Sequence, residues 1–279
     1  MNIYIAGLGL IGASFAKALK QNTSHTVFGM DINAETVKQA QLTGAVDSAS
    51  TTVESEFLSS CDLVIAALNY DLVLEFVRQN AKTVKSGAVV VDICGVKRAV
   101  CSELEDIAGK NSFVFLGGHP MAGREVSGFS NSVATLFSGA SMLLTPLSNA
   151  SREAAERLKP LFSSLGFARV VMTKPEEHDE IIAYTSQLAH IASNAYIKSP
   201  TAERHRGFSA GSFRDLTRVA YLDEDMWSDL FLANADNLSS ELDFYIEKLT
   251  QYRDALKERD REQLKSLLKD GKERKIKSL

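Results

Sequence analysis

No stretch of the chain comes near the ~20 consecutive apolar residues of a membrane-spanning helix, and its first residues pattern as a strand rather than a secretory leader. Neither a membrane span nor an export signal is expected. Positive charge is also short. The 31 Lys and Arg stand against 35 Asp and Glu, a formal net charge of -4, which leaves no electrostatic footprint for nucleic acid or an anionic membrane. Cysteine is sparse: Cys61, Cys94 and Cys101 are odd in number and lack metal-ligand spacing, so no metal site is expected. Buried or site-lining thiols in a reducing cytoplasm suit them better. There is no internal repeat and no low-complexity linker. What remains is 279 residues, 45% apolar and 24% charged, enough for two globular domains and a sizeable core.

What is present begins at once. An apolar strand, Ile3 to Ala6, runs into Gly7-Leu8-Gly9-Leu10-Ile11-Gly12, and a helix follows with Phe15, Ala18 and Leu19 on one face. In a dinucleotide-binding loop the first glycine permits the sharp turn and the second lets backbone approach a pyrophosphate. The third lets helix pack on strand. The helix N-terminus then offers unpaired N–H groups to the anion. A second strand, Thr26–Met30, ends in Asp31. One reading has that carboxylate accept from both hydroxyls of an adenosine ribose and repel a 2′-phosphate, which selects NAD over NADP. The other has Asp31 cap the helix that follows.

Strands and helices keep alternating, with strands expected at Asp62–Leu68, Gly87–Asp92 and Phe113–Leu116 and helices at Ala34–Leu42, Asp71–Val84 and Ala99–Ala108. Near-continuous apolar strands of this kind belong to a parallel sheet covered on both faces. Ser141–Thr145 and Arg169–Thr173, with the helix Arg152–Leu165 between them, fit its far edge. Beyond Lys174-Pro175 no strand pattern survives, and Glu176–Tyr196, Trp227–Leu249 and Arg253–Leu268 pattern as helices. The expected architecture is an α/β, doubly wound Rossmann-type sheet over residues 1–173, followed by an all-α domain over residues 174–279.

Ligands of open α/β sheets bind beyond the carboxyl ends of the strands, which draws attention to Gly117-Gly118-His119-Pro120-Met121-Ala122-Gly123. There the chain resembles the prephenate dehydrogenase family. The likeness spans Gly7–Ser14, the Asp92…Val96-Lys97 segment, His178-Asp179, Ser186–His190 and Gly211–Arg218. It implies oxidative decarboxylation of prephenate to 4-hydroxyphenylpyruvate, with NAD as oxidant, in tyrosine biosynthesis. A neutral imidazole suits the proton leaving the ring hydroxyl, and the resemblance assigns that role to His119. It assigns Arg214 to a substrate carboxylate, which a planar guanidinium binds through two hydrogen bonds. His190, with Gln187 one turn earlier, is implied to line the substrate pocket, although a lone histidine on an apolar helix also fits a core position. Lys97 has two readings, support of the nicotinamide pocket and solvation of a helix start. Arg218 and His178-Asp179 are expected to be structural, and Glu125 to gate the pocket or pair with an arginine. Many relatives carry a serine where this chain has Gly95, so that hydroxyl's role is not carried over.

Three other readings compete. An arogenate or dual-specificity cyclohexadienyl dehydrogenase would share every motif. A β-hydroxyacid dehydrogenase would want a lysine where the first long helix offers His190 and Gln187. A non-catalytic NAD(H) sensor would not need His119 and Arg214 in one crevice. By resemblance the helical domain forms a homodimer through part of the set Trp227, Leu230, Phe231, Leu238, Leu242, Phe244 and Ile246. No regulatory amino-acid-binding domain and no fused mutase is expected.

Overall fold

Asn2–Ala6 forms β1 with four of its five residues buried, as a central strand covered on both faces requires. The structure is a computed structural model and describes residues 1–278. Helix α1 (Leu10–Asn22) leads to β2 (Thr26–Met30), and α2 (Ala34–Leu42) to the short strand β3 (Ser48–Ser50). Then come α3 (Ser55–Ser60), β4 (Leu63–Ala66), α4 (Tyr70–Asn80), β5 (Val89–Asp92), α5 (Arg98–Asn111) and β6 (Val114–Pro120). The far edge is β7 (Ser141–Thr145), α6 (Asn149–Ser164) and β8 (Arg169–Met172).

One sheet takes in all of these, in the order β3-β2-β1-β4-β5-β6-β7-β8. Neighbouring strands are parallel except β6 and β7. The expected doubly wound sheet is therefore present, with strand order reversing between β1 and β4, where such sheets bind dinucleotides. Each face has its own core. Phe15, Phe137, Phe162 and Phe167 pack under α1 and α6, and Phe76, Leu104 and Phe115 under α4 and α5.

β6 runs further than the sequence pattern suggests. Instead of ending at Leu116 it continues through His119 and Pro120, because Gly117–Pro120 pairs antiparallel with β7. Two glycines make the pairing sterically possible. A Cβ at Gly117 would lie 2.1 Å from Thr145 Oγ1, and one at Gly118 would lie 2.7 Å from the Asp92 carbonyl oxygen. His119 is consequently held on a strand rather than on a loop.

After β8 the chain is helical: α7 (Pro175–Ile182), α8 (Ala189–Tyr196), α9 (Gly211–Thr217), α10 (Glu224–Leu232), α11 (Ala235–Lys257) and α12 (Arg261–Lys277). A π-helical turn, Ala183–Leu188, joins α7 to α8 and carries Ser186 and Gln187. The break between the last two helices falls at residues 258–260 rather than near 250. Arg259 takes a left-handed φ of 54° there, and the Asp260 carboxylate accepts the Gln263 N–H at 2.9 Å, capping α12. The buried core of this region is small, with Ala183, Leu188 and Leu238 at its centre.

Candidate active site

The glycine loop has the shape a pyrophosphate requires. Gly7 has φ +89°, and a Cβ there would sit 2.3 Å from the Ala67 carbonyl oxygen; a Cβ on Gly12 would sit 2.0 Å from that of Gly7. Gly9 differs, since nothing lies within 4 Å of where its Cβ would be. Two glycines thus permit close packing and the third leaves open space before the α1 N-terminus, where Leu10 and Ile11 begin the helix. Leu8 turns its side chain into the core and donates its N–H to Asp31 Oδ2 at 2.9 Å. Asp31 Oδ1 accepts from Asn33 N–H at 2.9 Å, so each oxygen keeps a lone-pair direction for a further donor. The capping alternative fails, because the cap of α2 is Asn33.

At the carboxyl end of β6, His119 is half-buried, and its Nδ1 lies 2.9 Å from His178 Nε2. His178 Nδ1 lies in turn 2.7 Å from Asp179 Oδ1. Asp179 is fully buried and also receives the backbone N–H of Lys97 at 2.8 Å and of Arg98 at 2.9 Å. Burial tends to raise its carboxyl pKa, but the His178 and backbone hydrogen bonds outweigh that and hold it below the usual range. Burial, His178 and the Lys97 charge hold His119 well below an ordinary histidine. Burial also lowers His178, against the opposing pull of Asp179. The outcome near neutral pH is two neutral imidazoles and a carboxylate in line. The sequence expectation for His178-Asp179 is structural, and no spacing signal links residues 119 and 178; the contact is made by a side chain of α7, a helix that packs against α5.

Lys97 is not at a cofactor surface. Its side chain is fully buried, its ammonium pairs with the Asp92 carboxylate, and it donates to the Gly118 carbonyl oxygen at 2.7 Å. Full burial excludes solvation of the helix start and direct contact with a cofactor, and the ammonium is retained by these partners while its charge reaches His119. Burial would lower its pKa, but Asp92 prevails and raises it. Gln187 is corrected in the same way. It is buried, donates to the Leu230 carbonyl at 3.1 Å and accepts from Asn234 Nδ2 at 2.8 Å, so its amide is committed to scaffold. Asn234 also donates to the Asp179 carbonyl at 2.8 Å, and Arg98 reaches it at 3.1 Å while gripping Asp236 at 2.8 and 2.5 Å. Nothing in the sequence pattern singles out Asn234 or Arg98, and Asp92 enters there only as part of the segment that carries the family resemblance.

Arg214 is exposed on α9 and makes no ion pair among the described residues, whereas Arg218 pairs with Glu125 on the loop leaving His119. Among the described residues Arg218 is therefore the arginine turned toward that loop. His190 is half-buried with Nδ1 at 2.8 Å from the Ser186 carbonyl and its ring 4.0 Å from that of Trp227. Burial lowers its pKa, and the charges of Arg218 and Glu125 both reach it. Gly95 sits beside Leu230, whose nearest carbon would be 3.4 Å from an added Cβ. No cluster of metal-ligating side chains occurs among the described residues.

The site combines an anion cradle with an imidazole whose Nε2 is unengaged, and an arginine shared with a nearby carboxylate. Comparison with known proteins agrees with that chemistry. Residues 15–172 match the family model described as prephenate dehydrogenase, nucleotide-binding domain, and residues 174–270 match prephenate dehydrogenase, dimerization domain. A prephenate dehydrogenase of Bacillus subtilis is 29% identical over 277 residues, covering 97% of this chain and 74% of the relative. A cyclohexadienyl dehydrogenase of Zymomonas mobilis is 27% identical over 282 residues, covering 99% and 95%. The crystal structure of prephenate dehydrogenase from A. aeolicus, in complex with hydroxyphenyl propionate and NAD+, superposes with a TM-score of 0.87. It is 29% identical, over 100% of this chain and 98% of that one.

Proposed function

The chain belongs to the prephenate dehydrogenase family, and on that premise we propose that it catalyses the NAD-dependent oxidative decarboxylation of prephenate to 4-hydroxyphenylpyruvate. NAD, when bound, supplies the acceptor for the hydride that leaves the ring carbinol. The Gly7–Gly12 loop and the start of α1 hold its pyrophosphate, and Asp31 takes the ribose hydroxyls. His119 is the base. It takes the ring hydroxyl proton as the hydride departs. When carbon dioxide leaves and the ring becomes aromatic, the released electron pair arrives on that same oxygen, so His119 returns the proton and ends the turnover neutral.

Arg218 binds a substrate carboxylate, letting go of Glu125 as it does so, and His190 lines the same pocket. The observation that carries the reading is His119 itself: an imidazole at the carboxyl end of β6, anchored through Nδ1 at 2.9 Å, with Nε2 left for substrate. The test is NADH formation with prephenate and, in parallel, arogenate. Prephenate should turn over, and His119→Asn should abolish turnover while NAD still binds. Turnover of arogenate alone would displace the proposed substrate. Silence with both, in folded NAD-binding protein, would revive the sensor reading.

The working unit is a homodimer through the helical domain. Phe244, Ile246 and Leu249 on α11 are each at least half exposed, while the local core is small, and that surface is what a second copy would cover. The matched description of residues 174–270 names dimerization. A monomer at micromolar concentration in sedimentation would remove this part of the proposal. The three cysteines are free and buried, which suits a reducing cytoplasm.

A further inference from the structure

We propose that His178 and Asp179 are a positioning pair that fixes His119 in its Nδ1–H tautomer, making Nε2 the atom that takes the substrate proton. The inference rests on His119 being the base and says how the fold makes it one.

The argument runs inward from the carboxylate. An ionised Asp179 has no proton to donate, and its Oδ1 already accepts from the Lys97 backbone. His178 Nδ1, at 2.7 Å from Oδ1, must therefore carry the hydrogen. A neutral His178 then presents a lone pair at Nε2. His119 Nδ1, 2.9 Å away, has to be the donor in that contact, so His119 Nε2 is bare. Were His178 protonated instead, both its nitrogens would donate. His119 would then accept at Nδ1, carry its hydrogen on Nε2, and be unable to act as a base. The charged groups facing the pair decide between these states. Lys97 lies on one side with Asp92 as its counter-ion, and Arg98 contacts Asp179 at 3.4 Å. The ammonium disfavours a second positive charge on either ring, and burial works in the same direction. Once His119 takes a proton at Nε2, its Nδ1–H donates more strongly to His178, and Asp179 at the far end balances the charge.

The device spans two regions of the chain. The base is on β6, and the residues that set its tautomer open α7. Within the sheet His119 is paired through its backbone with β7, and the side-chain contact at Nδ1 is the one that His178 makes.

The experiment has an arm that does not use activity. In protein carrying 15N-labelled histidine, long-range 15N–1H spectra report which ring nitrogen bears hydrogen. Loss of signals in His119→Asn and His178→Gln assigns two of the five histidines. The wild type should show His119 protonated at Nδ1 and His178 protonated at Nδ1 near neutral pH. His119 protonated at Nε2 would overturn the proposal. In His178→Gln, His119 should lose its single tautomer, and kcat should fall on the order of 10²-fold or more. NAD affinity and the KM for prephenate should stay within about 3-fold. A role confined to folding would leave the His119 tautomer unchanged in folded His178→Gln, and that result also overturns it. If His119→Asn keeps full turnover while the wild-type tautomer is as stated, it is the base assignment that fails.

Discussion

The carboxylate of Asp179 accepts the backbone N–H of Lys97 with one oxygen and that of Arg98 with the other, at 2.8 and 2.9 Å. Helix α5 has no side-chain cap of its own, so its first N–H groups are satisfied by a residue of α7, about 80 positions later in the chain. The same carboxylate sits 2.7 Å from His178 Nδ1. One buried group therefore holds the helical region against the sheet and orients the histidine pair.

Replacing Asp179 by alanine removes the acceptor from three N–H groups at once. The expected loss of stability is about 3–5 kcal/mol, the range for stripping one partner from a buried charged contact. Asp179→Asn keeps an acceptor oxygen and should cost less than half as much. Urea unfolding of the two variants checks this. A loss under about 1 kcal/mol for the alanine variant would mean that water replaces the cap.

Stability should fall on mild acidification. His119 and His178 are held below the ordinary histidine pKa of about 6.5, so on lowering the pH the unfolded chain takes up these protons first. Their contribution is complete above about pH 6.5 and is lost as pH falls through that value toward the folded pKa values. Asp179 is also depressed, and its share is present above the unfolded carboxylate pKa of about 3.9 and is lost further down. Melting temperature should thus drop between pH 7 and 5, and less steeply in His119→Asn than in the wild type. A flat profile over that range would contradict the buried neutral histidines.

The two arginines make a paired test. Arg218→Ala should raise the KM for prephenate by about 10- to 100-fold, the worth of a charge-assisted hydrogen-bonded contact. Arg214→Ala, at an exposed residue with no ion pair among the described residues, should stay within a few-fold. The reverse ranking in steady-state kinetics would return the substrate contact to Arg214.

Asp31→Ser should weaken NAD by about 10-fold, near 1.4 kcal/mol, and narrow the preference over NADP. Losing the carboxylate removes both the ribose acceptor and the repulsion of a 2′-phosphate. The ratio of kcat/KM values for the two cofactors is the measurement, and an unchanged ratio would detach Asp31 from cofactor choice.

Much of this was legible in the chain. Local patterns reach the sheet and its cradle, because the apolar runs of β4 and β5 and the spacing of Gly7, Gly9 and Gly12 are short-range features with short-range causes. The place of His119 was also legible, since a glycine-rich segment after a strand marks the carboxyl edge where ligands bind. What the pattern missed had long-range causes. β6 outruns its apolar stretch because β7 pairs with glycines that carry no hydrophobic signal. Lys97 and Gln187 looked like site residues by position, yet Asp92, Gly118, Leu230 and Asn234 consume their polar groups. Arg214 and Arg218 differ by one helical turn, and only the packing of α9 decides which of them meets Glu125.

By itself the sequence determined a dinucleotide-binding sheet, a helical second region and an imidazole between them. The tertiary structure decided which nitrogen of that imidazole is free. A tautomer depends on where the hydrogen-bond partner is, and the partner of His119, His178, lies 59 residues further along the chain.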